Sequence, residues 1–427
     1  EMTADESSCC TVRFETQLPE KVPDQNLSIP DTISVTGLSE LVNHLLDQVD
    51  SAVDYDFLID GRFLRSSLKE YAGEREISLE NVITLEYVIA FPEPSPPKNI
   101  PHPDWISCVD TDIPNMILTG SYDNVIRVWN PKLPATPLHE GHGHKGPVKA
   151  IAVIPTTDGY KQDSFQFISG SKDHTIRVWS VDQTGLTAVA TGSQHTDSVD
   201  CVAAHPCSST RLASGSWDRT IRLWSNNVDT AAPVAKRSKI KSGKKSTTAT
   251  GRTLEQIHCI SNQHTQAITG LCWPHQNALY SASWDRTIRH WDVAQAKAVH
   301  TWNAPDAISC LSFNLAANLF AAGHVDRSVR LYDPRTNDAA IVHSTLKGHQ
   351  AWVSAIAWQP SNQHRLVSCS HDRTLKVWDI RSSICLHTLK AEQDGHGKTF
   401  AIGWAFDETI VCGGTDGILC LHTAKKQ

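Results

Sequence analysis

One short pattern recurs seven times along the chain: an Asp, a β-prone run and a residue that ends the strand. Four copies are clear, running from Asp173 to Trp179, Asp218 to Trp224, Asp285 to Trp291 and Asp372 to Trp378. Weaker copies begin at Asp123, Asp326 and Asp416, the last without the aromatic residue. Successive Asp residues lie 50, 45, 67, 41, 46 and 44 residues apart. A period of about 40–45 residues is typical of four-stranded blades, so we predict a mainly β chain with a seven-bladed β-propeller and two insertions.

A His precedes the turn Asp in five of these units: His144, His195, His264, His349 and His396. The units resemble WD-repeat propellers, in which this His, a strand Ser or Thr, the turn Asp and the Trp form a buried hydrogen-bonded set. Buried polar groups need partners, so the resemblance implies one internal lock in each blade. The alternative is a metal or catalytic role, and recurrence of the set at every period favours the structural one.

The fifth and seventh units depart from this pattern. The fifth has no such His around Ala307, and the seventh lacks its Trp. The chain also stops a few residues after GILCLHTA, before an outermost strand can form. A propeller protects its edges by closing the ring, so we expect a strand from within residues 85–105 to complete the last blade.

Length and composition narrow the class of protein. A chain of 427 residues is longer than one propeller of about 300, which indicates a second domain. There is no apolar run of about 18 residues and no secretory signal, so we expect a soluble intracellular protein that binds no membrane. The twelve Cys show no CxxC spacing and are interpreted as core residues. No phosphate-binding Gly-rich loop, GxSxG or HExxH motif is present, so we predict neither an enzyme nor a bound cofactor.

Residues 11–90 carry the signals of a separate α+β domain. Alternating apolar residues predict strands, and apolar residues three and four apart predict an amphipathic helix. We place a strand over 12–18, a second near 32–35, a helix over 38–49 capped by Thr36 or Ser39, and strands over 55–59, 62–64 and 83–89. This is a β-grasp order, and FLIDGRFLR and TLEYVI resemble strands of ubiquitin-like domains. Residues 91–104, with six Pro, are predicted to link this domain stiffly to the propeller over 105–427.

The two domains in this order, with GLSELVNHLL, DFLIDGRFLRSSL and LEYV, resemble the WD-repeat subunits of the pescadillo and block-of-proliferation complex. Notchless, a related assembly factor with a larger propeller, is the nearest alternative. The resemblance implies a non-enzymatic scaffold for large (60S) ribosomal subunit biogenesis and pre-rRNA processing, in the nucleolus and nucleoplasm. It implies that the propeller binds the block-of-proliferation WD-repeat protein, and through it pescadillo, on pre-60S particles.

The same resemblance implies that midasin, an AAA ATPase, captures the ubiquitin-like domain at a metal-dependent adhesion site and removes the complex from pre-ribosomes. Such capture needs an exposed carboxylate that completes the octahedral oxygen shell of a Mg²⁺ held by the partner. Matching the family motif to ISLENVITLEY places this ligand at Glu80, with Glu74 and Glu76 in the preceding loop as substitutes. The alternative is that Glu80 is one solvated acid among the fifteen of this domain.

The longest interval between repeats contains a basic insertion over 226–253. It holds seven basic residues, one acid and no aromatic residue, so we predict a disordered loop. Six basic side chains suit a nuclear-import signal, and a merely solvated loop is the alternative: Lys236, Arg237, Lys239, Lys241, Lys244 and Lys245. The N-terminal domain carries 15 acids against 6 basic residues, so we expect little direct nucleic-acid binding beyond local contact of this loop with RNA.

A substrate receptor of a ubiquitin ligase is the alternative function, because WD-repeat propellers often bind degrons. The acid-rich surface expected of the N-terminal domain fits metal-mediated capture better than docking through an apolar strand patch. Four of the turns read Asp-Arg, and we expect the Asp to cap the turn and the Arg to lie towards a propeller face.

Overall fold

The computed structural model describes residues 9–48, 52–75, 78, 80–132, 136–155, 164–226, 252–336, 342–382, 384–390, 397–405 and 408–424. Its backbone divides into two compact units, one formed mainly by residues up to Pro94 and the other by most residues from Ser95 to Thr423. The second unit therefore begins inside the segment 91–104 assigned above to a linker. Within the ranges just given, no helix is long and apolar enough to cross a membrane.

The N-terminal unit is built around a five-stranded sheet. Its strands are β1 (Cys9–Glu15), β2 (Asn26–Pro30), β3 (Tyr55–Ile59), β4 (Arg62–Phe63) and β5 (Ile83–Ile89), and its helices are α1 (Val35–Leu45) and α2 (Leu68–Arg75). The strand order is β2-β1-β5-β3-β4, with β1 and β5 parallel and the other neighbours antiparallel. Alternate residues of β1 and β5 face a core that also takes the apolar face of α1. This is the β-grasp arrangement.

The start of α1 corrects two expectations. The second strand ends before residue 32, and the helix begins at Val35 with Ser34 as its N-cap instead of Thr36 or Ser39. Ser34 is extended, with φ −82° and ψ 164°, and its hydroxyl accepts the N–H of Gly37 at 3.2 Å. An N-cap hydroxyl pairs a backbone donor that the first helical turn leaves free, so the helix starts where this bond forms.

Apolar periodicity does not predict helix α2, because the helix is short and half of its residues are charged. It begins with a capping box: the Ser67 hydroxyl accepts the Glu70 N–H at 3.3 Å, and the Glu70 carboxylate accepts the Ser67 N–H at 3.2 Å. The tetrapeptide SLKE is the sequence signal for this start. Glu74, expected in a loop, therefore lies in a helix, and the side chains of Leu68 and Tyr71 attach that helix to the core.

The second unit contains seven further sheets among the described residues, each numbered here by the order of its inner strand. The first has β7 (Ile106–Asp110), β8 (Ile117–Ser121), β9 (Ile126–Trp129) and β10 (His139–Gly141). The second has β11 (Val148–Ile154), β12 (Phe165–Ser171), β13 (Ile176–Asp182), β14 (Gly185–Gly192) and the short β18 (Arg252–Thr253). The third has β15 (Val199–Ala204), β16 (Arg211–Ser216), β17 (Ile221–Ser225) and β19 (Glu255–Ile260).

The remaining four sheets follow the same plan. The fourth has β20 (Ile268–His275), β21 (Ala278–Ser283), β22 (Thr287–Asp292) and β23 (Lys297–Asn303). The fifth has β24 (Ile308–Asn314), β25 (Leu319–His324), β26 (Ser328–Tyr332) and β27 (Ser344–Lys347). The sixth has β28 (Val353–Trp358), β29 (Arg365–Ser370), β30 (Thr374–Asp379) and β31 (Cys385–Lys390). The seventh has β32 (Thr399–Trp404), β33 (Thr409–Gly414), β34 (Ile418–Thr423) and β6 (Lys98–Pro101).

These sheets form a closed ring. Their inner strands pack in the cyclic order β7, β11, β15, β20, β24, β28, β32 and again β7. The outermost strand of the seventh sheet is β6, which pairs antiparallel with β34 so that Ile418 faces Pro101 and Leu421 faces Lys98. This strand lies within the segment 85–105 that was expected to complete the ring. The chain thus joins its own C-terminal sheet to a strand that precedes the first sheet.

Both ends of the basic insertion are ordered, which corrects the expectation of disorder across 226–253. Asn226 is buried, and its side chain donates to the Ser209 carbonyl at 3.1 Å. At the other end, β18 adds to the second sheet, parallel to β14 at Ala190 and Thr191. The chain therefore returns from the insertion along the edge of the neighbouring sheet before it enters β19.

Candidate functional site

The locks implied by the repeat are present in the second, third, fourth and sixth propeller sheets. In the third, His195 Nδ1 lies 2.8 Å from Asp218 Oδ2, and His195 Nε2 lies 2.8 Å from Ser214 Oγ. Trp224 Nε1 donates to the same Ser214 oxygen at 2.8 Å, and the Thr220 hydroxyl donates to Asp218 at 2.7 Å. A neutral imidazole that donates from Nδ1 to the carboxylate and accepts the Ser proton at Nε2 satisfies every bond of this set.

The other three locks repeat this geometry. The distance from His Nδ1 to the Asp carboxylate is 3.0, 2.8 and 2.9 Å, and the distance from the Trp indole to the Ser hydroxyl is 2.8 Å in each. Their members, in the order His, Ser, Asp and Trp, are His144, Ser169, Asp173 and Trp179; His264, Ser281, Asp285 and Trp291; and His349, Ser368, Asp372 and Trp378. The fifth His of the sequence pattern, His396, lies outside the described residues.

The electrostatics of the locks suit a structural role. Burial raises the pKa of Asp218, but hydrogen bonds from His195 and Thr220 outweigh burial and hold that pKa below its ordinary value. Burial also lowers the pKa of His195, and the bond to Asp218 opposes this only in part. The pair therefore stays as a neutral imidazole beside a carboxylate at neutral pH. Both groups are enclosed, so neither offers a proton or a lone pair to a ligand.

The first sheet contains a further lock His, which the sequence pattern did not predict. His102 Nε2 lies 3.3 Å from the Thr119 hydroxyl, which also accepts the indole N–H of Trp129 at 2.9 Å. The turn acid Asp123 instead pairs with Arg127 at 2.7 Å. Burial and then the Arg127 charge lower the pKa of His102 to about 4. His102 precedes Asp123 by the same 21 residues that separate His264 from Asp285, and this spacing is the signal that could have revealed it.

The fifth sheet is built differently. His324 stands two residues before the turn acid Asp326, where the locked sheets have Ser, and its ring lies 3.4 Å from the Tyr332 hydroxyl and 3.2 Å from the Asp306 carbonyl. Asp326 pairs with Arg330. In the seventh sheet, His422 occupies the position of the lock Trp and is 2% exposed. Both departures fall in the two units that the sequence singled out.

Glu80 lies in the turn before β5, and its side chain is exposed. Its backbone N–H donates to the Ser78 hydroxyl at 3.3 Å, which fixes the turn from within. Among the described residues, its carboxylate has no hydrogen bond or ion pair. Two residues later, Val82 is 48% exposed. Of the two substitutes, Glu74 is exposed on α2 and Glu76 lies outside the described residues.

The six import candidates of the insertion, Lys236, Arg237, Lys239, Lys241, Lys244 and Lys245, also lie outside the described residues. Across the residues that are described, no group of three or more His, Cys, Asp or Glu side chains is arranged to hold a metal ion. The cysteines are all free thiols. Cys201, Cys369, Cys412 and Cys420 are buried as core residues, whereas Cys9, Cys207 and Cys259 are exposed, contrary to the interpretation of the cysteines as core residues.

Comparison with known proteins agrees with this architecture. Residues 10–72 match the family model described as the NLE (NUC135) domain. Six segments match the model described as the WD domain, G-beta repeat: residues 95–130, 135–180, 186–225, 255–292, 296–333 and 341–379. The fold and its locks thus define a WD-repeat propeller protein with an N-terminal NLE domain.

Similar proteins named "Ribosome biogenesis protein WDR12 homolog" extend over almost the whole chain. The protein from Chlamydomonas reinhardtii is 33% identical, covering 92% of this chain and 91% of the relative. The proteins from Nematostella vectensis and from Oryza sativa subsp. japonica are each 33% identical, covering 96% and 98% of this chain and 98% and 97% of the relatives. The chain belongs to the WDR12 family of ribosome biogenesis proteins. The resemblance drawn from the N-terminal motifs and the repeat is confirmed at the level of the family, and so is the fold class.

Proposed function

We propose that this chain is a non-enzymatic scaffold of large (60S) ribosomal subunit biogenesis and pre-rRNA processing in the nucleolus and nucleoplasm. Its propeller holds the block-of-proliferation WD-repeat protein, and pescadillo through that protein. Its N-terminal domain is captured by midasin, which removes the complex from pre-60S particles. Membership of the WDR12 family supports the general role, and the geometry around Glu80 supports the capture step.

The observation that carries the capture step is the exposed carboxylate of Glu80, which has no partner among the described residues. A hard dication such as Mg²⁺ prefers charged oxygen ligands and demands near-octahedral geometry. A partner that supplies the other ligands needs one protruding carboxylate at a fixed position. Glu80 meets this need because its side chain is exposed and has no competing partner among the described residues, while its backbone N–H donates to the Ser78 hydroxyl.

The test is binding of the full chain to the purified adhesion domain of midasin, with Mg²⁺ and with EDTA. We expect Glu80→Ala to remove the Mg²⁺-dependent part of the affinity, a loss of at least about a hundredfold, because one ligand of the metal is deleted. Glu80→Asp keeps the charge but withdraws the oxygens by one methylene, and should lose nearly as much. Glu74→Ala is the matched control, since it removes an exposed carboxylate from the same domain. Equal affinity of Glu80→Ala and the unmodified chain would contradict the assignment.

Nuclear import by the six basic residues of the insertion belongs to the same proposal. The net charge of +6 over residues 226–253 supports it. Deleting 236–245 from a fluorescently tagged chain should leave the protein in the cytoplasm, and undiminished nuclear accumulation would overturn this part. Association with cullin subunits instead of ribosome-assembly factors would favour the alternative role as a substrate receptor of a ubiquitin ligase.

A further inference from the structure

One end of the propeller channel is bordered by aromatic side chains. The channel is a cavity of about 1240 Å³ along the inner strands. At this end, the residue before the turn acid bonds through its backbone to the residue that precedes the inner strand, as in the bond from Tyr122 N–H to the Trp105 carbonyl at 3.0 Å. We call this end the aromatic mouth and define it by Trp105, Tyr122, Trp217, Trp284, Trp352, His371 and Phe400.

Three of the four tryptophans of the aromatic mouth are unusually exposed. Trp105, Trp217 and Trp352 are 44%, 41% and 47% exposed, whereas the lock tryptophans are between 0 and 2% exposed. The rings contact one another around the mouth: Trp105 lies 5.3 Å from Tyr122, and Trp217 lies 5.2 Å from Trp284. Large apolar surface left open to water in this way marks a binding site, and Trp is enriched among the residues that dominate protein interfaces.

The inner strands support this reading through a second repeated position. In four sheets the second residue of the inner strand carries a hydroxyl that donates to a carbonyl of the next inner strand. We call this bond a latch. The latch residues are Ser107, Thr269, Ser309 and Ser354, with acceptors in β11, β24, β28 and β32. The latches tie neighbouring sheets together.

The other three sheets place a different side chain at the latch position, and each contacts the aromatic mouth. Lys149 donates to the Tyr122 hydroxyl at 2.6 Å and lies 4.5 Å from the centre of that ring. Asp200 accepts the indole N–H of Trp217 at 2.6 Å. Phe400 lies 6.5 Å from Trp105. In these three sheets the latch position therefore holds a side chain that contacts the mouth instead of a bond to the next inner strand.

Arginines occupy equivalent turn positions at this end of the channel in three consecutive sheets. Arg219, Arg286 and Arg327 follow the turn acid in the third, fourth and fifth sheets, with φ of 66°, 66° and 73°. This left-handed conformation is uncommon for residues other than Gly. All three arginines adopt it at the equivalent position of their turns. All three are exposed, and among the described residues their guanidinium groups make no ion pair. Three unpaired cations on one arc of the mouth are complementary to carboxylates.

We propose that the aromatic mouth and this arginine arc bind an extended acidic segment of a protein partner. Separate apolar side chains of the segment pack against Trp217 and against Trp352, and its carboxylates pair with Arg219, Arg286 and Arg327. The proposal deepens the scaffold function proposed above, on which it rests, by naming the surface and the chemistry of the segment that it holds.

Single-stranded RNA is the competing occupant, because bases stack on tryptophan and arginine binds phosphate. The acids at the same end of the channel favour protein. Asp200 lies within the mouth, bonded to Trp217, and Asp104, Asp197 and Asp306 lie in the loops that lead into inner strands. A phosphate backbone carries a negative charge at every nucleotide and meets these carboxylates, whereas a protein segment can place its own carboxylates at the arginine arc and an N–H or a cationic side chain opposite the aspartates.

The test uses the full chain and a fluorescein-labelled peptide of about 12 residues, rich in Glu and Leu, followed by fluorescence anisotropy. A peptide with Lys in place of Glu and an oligouridylate of equal length are the comparison ligands. We expect the acidic peptide to bind and the other two to bind at least about tenfold more weakly. Preference for the oligouridylate, or equal binding of the acidic and the Lys peptides, would overturn the proposal.

Matched variants locate the site. We expect two double variants to weaken binding of the acidic peptide at least about tenfold each. One combines Arg219→Glu with Arg286→Glu, and the other combines Trp217→Ala with Trp352→Ala. The controls are Lys297→Glu, on the edge strand β23, and Leu315→Ala, which is 63% exposed at the other end of the channel. Equal affinity of the mouth variants and the controls would overturn the proposal. The Glu80 test involves a different domain and a different ligand, so failure of either leaves the other standing.

Discussion

The third and fifth propeller sheets share one plan and stabilise it differently. The third keeps the buried lock of His195, Ser214, Asp218 and Trp224 but has Asp200 in place of a latch hydroxyl. The fifth keeps its latch at Ser309 but has no lock, and His324 and Tyr332 fill that space. Each sheet therefore lacks one of the two polar devices. Neither device is required at every position for the ring to close.

The comparison separates residues that hold a sheet together from residues that leave it open to a partner. The lock lies inside one sheet and is enclosed, so its loss costs stability alone. The latch position lies at the channel, where replacing the hydroxyl brings a side chain to the aromatic mouth. The third sheet has Asp200 at the latch position, bonded to the exposed Trp217, whereas the fifth retains the latch and has Val325 at the same place in its turn.

Removing the central histidine should have the largest effect and should differ between the two sheets. We expect His195→Ala to lower the free energy of unfolding by about 4 kcal/mol, because it leaves the Asp218 carboxylate and the Ser214 hydroxyl without their partner. His324→Ala should cost about 2 kcal/mol, since it breaks only bonds of 3.2 and 3.4 Å to neutral groups. Urea unfolding followed by tryptophan fluorescence reports on the propeller alone, because all 13 Trp lie at or after residue 105. Equal losses would remove the distinction between the sheets.

Acid should reduce the stabilising contribution of His324 more than that of His195. Burial and the nearby Arg330 lower the pKa of His324 to about 4, whereas an unfolded chain takes up this proton near pH 6.5. The stabilising contribution is thus complete above pH 6.5 and decreases as the pH falls towards 4, by about 2 kcal/mol between pH 7 and pH 5. Burial also lowers the pKa of His195, but the Asp218 carboxylate opposes the shift, so its loss over this range is smaller.

The measurement is the difference in unfolding free energy between pH 7 and pH 5 for His324→Asn and His195→Asn. The variant without His324 should lose more of the pH dependence than the variant without His195. A steeper pH dependence in His324→Asn than in the unmodified chain would show that its proton uptake is not what weakens the fold in acid.

The lock residues could be predicted from the sequence because the His, Asp and Trp of each lock lie within one repeat. The four complete locks follow from His, Asp and Trp at recurring intervals. The pairing of Asp326 with Arg330 could not be predicted, because an Arg four residues after the turn acid also occurs in locked sheets. In the third sheet that residue is Arg222, which bonds to Gln256 instead. The choice depends on whether a His already occupies the carboxylate, which is a matter of tertiary contact.

At the candidate site, too, the sequence predicts some features and others depend on tertiary contacts. A motif match places Glu80, and alternation places the strand that follows it, but exposure and freedom from partners depend on the whole turn. The aromatic mouth has residues from five sheets or their loops, so no single stretch of sequence reveals it. The SWD and SHD turns are similar in sequence, which does not show where their side chains lie. The closed ring shows that Trp217, Trp284 and His371 border one channel.

Restoring a latch is the smallest expected change and the one that most directly tests the division between stability and binding. Asp200→Ser puts a hydroxyl where four other sheets use one to reach a carbonyl of the next inner strand. We expect the propeller to gain less than about 1 kcal/mol, the usual net value of one hydrogen bond, because the new latch is offset in part by loss of the bonds that Trp217 and Ser198 donate to Asp200. Thr269→Val, which deletes an existing latch, should lose a similar amount in the same urea assay. If Asp200→Ser destabilised the propeller as much as Thr269→Val, Asp200 would itself be holding the sheets together, and the absence of a latch in the third sheet would no longer point to a partner.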